Sequence, residues 1–332
     1  AQRLAAQGMI LAHEYGAPAA PQNHESLIQQ HEAAISAVLR HSSQVLHWFS
    51  PVENAISQLQ HVDQVATEQS QWLIQSECRL VQHQLMFFSA IPLSKQLHAC
   101  RKDQQQMIDQ AQPFQAARLT DSTLILLEYL HEEKPFPGWV QYQHGWQAVS
   151  TILGALLLDK QSLWPELCSW EALFENELAG YFCVTEALFC TAMMRLIQAQ
   201  QQHALSRRRR IEIEHIELRL ELWARHCPEN FKGQWLLLQA EKARLEEQGI
   251  SSENKPQEKP SILFEQALKA TETHAFGFHK ALCYERYADY LHDQGQFRLA
   301  RFCLNEASYL YQKWGASAKV NQLRQSHILL AI

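Results

Sequence analysis

Histidine, cysteine and arginine are the residues in this chain whose spacing comes nearest to chemistry. His279 and Cys283 stand four apart, which on a helix puts both on one face at the spacing of a metal-ligand pair. No second pair or carboxylate lies at a partner spacing, and Cys283 adjoins Tyr284, a core-type residue. A structural role is expected for both, with no metal. His226 and Cys227 supply a base and a nucleophile by type, but adjacent residues do not by themselves build that geometry, so a helix-end role is expected. The run Arg207 to Arg210 has the charge to hold phosphate or nucleic acid. Glu212, Glu214 and Glu217 follow it closely, and the formal net charge is −6. A solvated helix start is therefore expected, with no nucleic acid as partner. Met193 and Met194 read as core. No G-x-x-x-x-G-K-[ST] loop occurs, and no Gly-rich phosphate loop replaces it. The expectation is a protein that is not an enzyme and carries no cofactor.

The elements that position these residues follow from composition and periodicity. At 332 residues and 46% hydrophobic, the chain exceeds the size at which one compact core stops growing. Gly and Pro number only 11 each, which favours helix nearly throughout. The apolar run Ala148 to Leu158 is too short to cross a bilayer, and no membrane partner is expected. Ala1-Gln2-Arg3-Leu4 lacks an initiator Met and a secretory apolar region, and reads as the interior of a helix in a longer chain. The eight cysteines are scattered without C-x-x-C spacing, which suggests reduced thiols in a cytoplasmic protein.

Helical spacing predicts helices over Ala1–Tyr15, Ser26–Phe49, Val52–Val65, Trp72–Phe88, Trp146–Leu158, Leu163–Phe174, Tyr181–Ile197, Trp235–Glu247 and Phe264–Thr273. The Tyr181–Ile197 segment is apolar on nearly every side and belongs between other helices. Ile211–Trp223 alternates like a strand at several positions. Its Glu, Leu and Arg content and the stripe Ile213, Ile216, Leu220, Trp223 and Cys227 favour helix. Cys100–Gln115, polar and Gln-rich, is expected as a connecting loop with some helix. Pro135-Phe136-Pro137-Gly138 suggests a hinge near 132–140, and residues 250–260 a mobile insertion.

The most informative segment is Phe278–Leu323. Tyr284, Tyr287, Ala288, Leu291, Gly295, Phe297, Ala300, Leu304 and Ala307 occupy, in order, the large and small positions of a tetratricopeptide repeat, best defined over 279–314. Such a unit cannot bury its apolar face alone and must stack on neighbours. The expected fold is an all-α, tetratricopeptide-like α-solenoid of stacked helical hairpins, continuous over 1–332. On the first helix of the repeat, Tyr284, Tyr287, Ala288 and Leu291 form the expected buried stripe. The neighbouring stripe of Leu282, Glu285, Asp289, His292 and Asp293 would face a concave, acidic groove. That groove would take a basic or apolar peptide, and it lacks the Lys/Asn/Arg set that clamps a terminal carboxylate.

Two segments carry a more specific likeness. Trp223, Ala224, Cys227, Pro228, Glu229, Asn230 and Phe231 form a WA-x-x-CPENF core, and Tyr311, Trp314, Gly315, Ala316, Ala318, Lys319 and Val320 a Y-x-x-WGA-x-AKV ending. Both resemble the helical-repeat region of large bacterial signalling ATPases. Those proteins place a protein-kinase-like domain and a STAND-class ATPase module ahead of the repeats, often with GAF and histidine-kinase domains elsewhere. The resemblance covers roughly the last third, and the residues 251–260 depart from it. It implies a non-catalytic interaction or sensor module of a cytoplasmic signalling protein. The module would relay binding of a protein partner or small regulator to attached ATPase or kinase domains. A stand-alone scaffold, or the inducer-sensing domain of a transcription regulator, is the alternative. Nothing in the sequence fixes an oligomeric state.

Overall fold

The computed structural model describes residues 24–250, 258–272 and 278–326. The helix expected over Ala1–Tyr15 and most of the expected insertion lie outside them. Every regular element among the described residues is helical. The first group comprises α1 (His24–Gln44), a tight turn at Leu46–Trp48, α2 (Val52–Glu68) and α3 (Trp72–Phe87). Pro51, with φ −50° and ψ 143°, is the extended joint ahead of α2; it cannot continue the preceding turn but fits a helix start.

Cys100–Gln115 is a correction: most of it is helix. α4 runs Leu93–Asp109 and α5 restarts at Pro113 and ends at Leu119. Gln is a good helix former. Leu93, Leu97, Cys100 and Met107 turn inward, whereas Ile108 near the end of the helix is exposed, so a polar composition concealed an amphipathic helix. The break comes only at Ala111, whose φ is +57°.

A wide turn at Thr120–Leu124 leads into α6 (Ile125–His131), and Glu132 to His144 contains no helix. Phe136, within this segment, packs on Tyr129 with ring centroids 4.9 Å apart. It also covers Gly154 of α7 (Gly145–Leu157), where an added Cβ would lie 2.6 Å from the Phe136 ring. Phe136 thus anchors this segment against α6 and α7. The helix expected over 163–174 is divided at Trp170 into α8 (Trp164–Ser169) and α9 (Glu171–Glu177).

The chain continues as α10 (Phe182–Gln202), α11 (Arg207–His226), α12 (Pro228–Glu247), α13 (Pro260–Glu272), α14 (His279–Asp293), α15 (Phe297–Trp314) and α16 (Ser317–Ser326). Every residue from Phe182 to Gln200 is buried. By length and composition α10 would suffice to span a bilayer, yet its apolar stretch is wholly buried, packed by α3, α7, α8, α9, α11 and α12. The ambiguous Ile211–Trp223 stretch is helical: Ile213, Ile216 and Leu220 face the core, whereas Ile211, Leu218 and Leu222 are exposed. From α11 to α15 each helix packs on the next. Gly295, at φ +72°, makes the turn between α14 and α15, and Gly315, at φ +96°, ends α15, conformations that glycine adopts without a Cβ penalty.

Contacts between distant segments join the first third to the last. Asn230, at the start of α12, donates through Nδ2 to the His47 and Ser50 carbonyls at 2.7 and 2.9 Å and accepts from the Val52 amide at 3.1 Å. Phe87 meets Trp314 at 5.2 Å between centroids. A His131 ring nitrogen lies 2.8 Å from the Gly315 carbonyl oxygen, and Asn321 donates to Glu133 at 2.9 Å. Asn230, Trp314 and Gly315 therefore sit at the seams of the fold.

Candidate functional site

The helix-forming pattern of α10, α12 and α14 brings the C-terminal ends of all three to one cleft. The cleft, about 660 Å³, is lined by Gln200, Arg244, Arg286, Asp289, His292, Asp293 and the apolar Ile197, Phe297 and Leu304, among others. At its floor, Glu241 is fully buried and accepts from Arg286 Nε at 2.5 Å and from Gln200 Nε2 at 2.5 Å. Arg286 also donates to Asp289 at 2.9 Å and to Gln200 Oε1 at 3.1 Å. Arg244 pairs with Asp293 at the rim and lies 3.6 Å from Glu241.

Electrostatics explains why the floor tolerates charge. Burial alone would raise the Glu241 pKa, but the Arg286 and Arg244 guanidiniums outweigh it and hold the carboxyl below its ordinary value. Burial alone would likewise disfavour the Arg286 cation, and Glu241 and Asp289 reverse that, raising its pKa. Among the charged residues that line the cleft, Arg244 and Arg286 balance Asp289 and Asp293, with Glu241 buried beneath them. The cleft is a polar, near-balanced surface with an apolar wall, suited to hydrogen-bonded recognition.

Of the five residues expected on the groove, Asp289, His292 and Asp293 line this cleft. The other two do not belong to an exposed face, which corrects the expected stripe. Leu282 is 3% exposed and part of the core. Glu285 is buried and accepts from Lys319 Nζ at 2.6 Å and from the Tyr311 hydroxyl at 3.0 Å. For Glu285 the reason is that α16 folds back and brings Lys319, itself 1% exposed, against α14. Arg286 and Arg244 stand beside the expected carboxylates in the cleft. Arg286 was visible in the α14 sequence, one residue after Glu285; Arg244 comes from α12, and no local pattern signals it.

The other candidates resolve as follows. A His279 ring nitrogen lies 2.8 Å from Glu186 on α10 and 3.1 Å from Gln234 on α12, while the Cys283 thiol points to the Phe264 carbonyl at 3.8 Å. Among the described residues no three His, Cys, Asp or Glu side chains converge as a metal site. Cys227 is buried and its thiol pKa is pushed up to about 11, first by burial, which disfavours the thiolate a nucleophile needs. Arg208 pairs with Glu212 at 2.9 Å across one helical turn, and Met193 and Met194 are fully buried. Comparison with protein families, curated proteins and solved structures returned no match in any of the three.

Proposed function

We propose that the chain is a non-catalytic recognition module built from stacked, tetratricopeptide-like helical hairpins. In this reading it serves a cytoplasmic bacterial signalling protein and passes the state of a bound protein partner to attached ATPase or kinase domains. The observation that carries the proposal is the cleft between α10, α12 and α14. Its size suits a peptide side-chain cluster or small regulator, and its charged groups are held in place by one another, with no activated nucleophile or base among them. The sequence positions that resemble the signalling-ATPase repeats support the scaffold half of this reading, since Trp223, Asn230, Phe231, Trp314 and Lys319 all make joints between helices. The Asp289 and Asp293 carboxylates that line the cleft and its apolar wall favour a basic, apolar peptide.

The test is fluorescence anisotropy of the full chain with a labelled peptide of alternating Lys and Leu. Asp289→Asn/Asp293→Asn should weaken binding by at least about tenfold, the size of one good polar contact to a charged group, while the circular-dichroism melt stays cooperative. Equal affinity of the variant refutes the cleft as the binding site. Turnover of ATP by the purified chain refutes the non-catalytic assignment.

A further inference from the structure

The outer face of α15 is a surface that the cleft does not use. Its inner face, including Ala300, Leu304, Ala307 and Trp314, is buried. On the opposite side Leu299, Phe302 and Tyr309 are exposed by 54%, 57% and 59%. At roughly 100° per residue, these three fall with Arg298, Glu306 and Lys313 within about 100° of arc, as one stripe about 22 Å long. A cation stands near each end of the stripe and an anion near its middle. Among the described residues none of these three charges is engaged in a salt bridge. Single exposed apolar residues are ordinary, but three aligned on one side of an 18-residue helix form the surface that a second helix packs against.

We propose that the outer face of α15 docks an acidic amphipathic helix of a partner protein. Its apolar stripe covers Leu299, Phe302 and Tyr309, carboxylates about four turns apart meet Arg298 and Lys313, and a Lys or Arg between them meets Glu306. A second copy of this chain fits poorly. Pairing α15 with α15, parallel or antiparallel, opposes the cations at both ends. A second exposed apolar helix face, Ile211, Leu218 and Leu222 on α11, carries Glu214 and Glu221 in its middle and Arg207 and Arg225 at its ends. That is the same order of charge as on α15, so like again meets like, an arrangement that interfaces avoid. The inference rests on the reading of the chain as an interaction module, but on a separate surface.

The experiment uses the full chain and two labelled 18-residue helical peptides with the same Leu stripe. One has Glu at both ends and Lys in the middle; the other has these charges reversed. The acidic-ended peptide should bind at least about tenfold more tightly, and Phe302→Ser should weaken it by at least about tenfold, as for a central aromatic contact. Arg298→Glu/Lys313→Glu should invert the preference between peptides. All of these side chains are exposed, so melts of the variants should match the parent, and Asp289→Asn/Asp293→Asn should leave this binding unchanged. Equal affinity for the two peptides, no binding of either, or an unaffected Phe302→Ser variant overturns the proposal. So does a concentration-dependent dimer in sedimentation that Phe302→Ser abolishes, which would assign the face to a second copy. Loss of binding in the Asp289→Asn/Asp293→Asn variant alone would instead move the peptide to the cleft.

Discussion

His47 gives this fold a measurable dependence on pH. The ring is fully buried beside Trp48 and Phe182, with centroids at 4.6 and 5.5 Å, and neither ring nitrogen has a hydrogen-bond partner. Burial lowers its pKa from 6.5 to about 3, because an imidazolium there would lose its hydration without gaining a partner. The sign follows from linkage. Below pH 6.5 the unfolded chain takes up a proton at His47 that the folded chain refuses, so stability declines as pH falls from about 6.5 towards 3. Between pH 7 and pH 5 this one residue removes about 2 kcal/mol, from roughly 1.5 pH units at about 1.36 kcal/mol per unit. His47→Phe keeps a ring in the slot and abolishes the titration. Urea unfolding followed by tryptophan fluorescence at pH 7, 6 and 5 would measure both proteins. The stability difference between variant and parent should shift by about 2 kcal/mol in favour of the variant over that range. Parallel pH profiles for the two proteins would refute the argument, whatever their absolute stabilities, because other titrating groups contribute equally to both.

Three further outcomes are expected. Asn230→Ala removes all three side-chain hydrogen bonds that fasten α12 to the 47–52 joint and should destabilise by about 2–4 kcal/mol, measured by urea midpoints; a loss below about 0.5 kcal/mol would show that the joint does not depend on it. Lys319→Met leaves the Glu285 carboxylate buried without its cation and should destabilise by about 3–5 kcal/mol, with Glu285→Gln added to Lys319→Met recovering much of the loss; additive losses in a double-mutant cycle would contradict the pairing. The thiols should be unreactive to an aromatic disulfide at pH 8 in the native protein and should react fully in denaturant. Seven of the eight are buried, and burial raises the pKa of each one, Cys168, Cys227 and Cys303 to about 11. Rapid modification of a native thiol would be inconsistent with this packing.

The helices themselves were largely legible in the sequence, because helix formation depends on local spacing and on breakers such as Pro51 and Gly295. The all-buried character of α10 was legible for the same reason: its apolar residues leave no polar side. α4 was missed because Gln-rich surface positions resemble a loop when few apolar residues mark the inner face.

What the sequence by itself determined, then, is where most of the chain is helical and that the turn at Gly295 calls for glycine. The tertiary structure alone decided which helix faces became surface. Leu282 and Glu285 lie next to the stripe expected to be buried and are buried as well, Glu285 against Lys319 on the returning α16. The cleft needs Arg244 and Arg286 from separate helices around Glu241, and Asn230 closes the fold on residues some 180 positions earlier. Periodicity reports one helix at a time, whereas burial and charge pairing depend on neighbours that only the packed chain supplies.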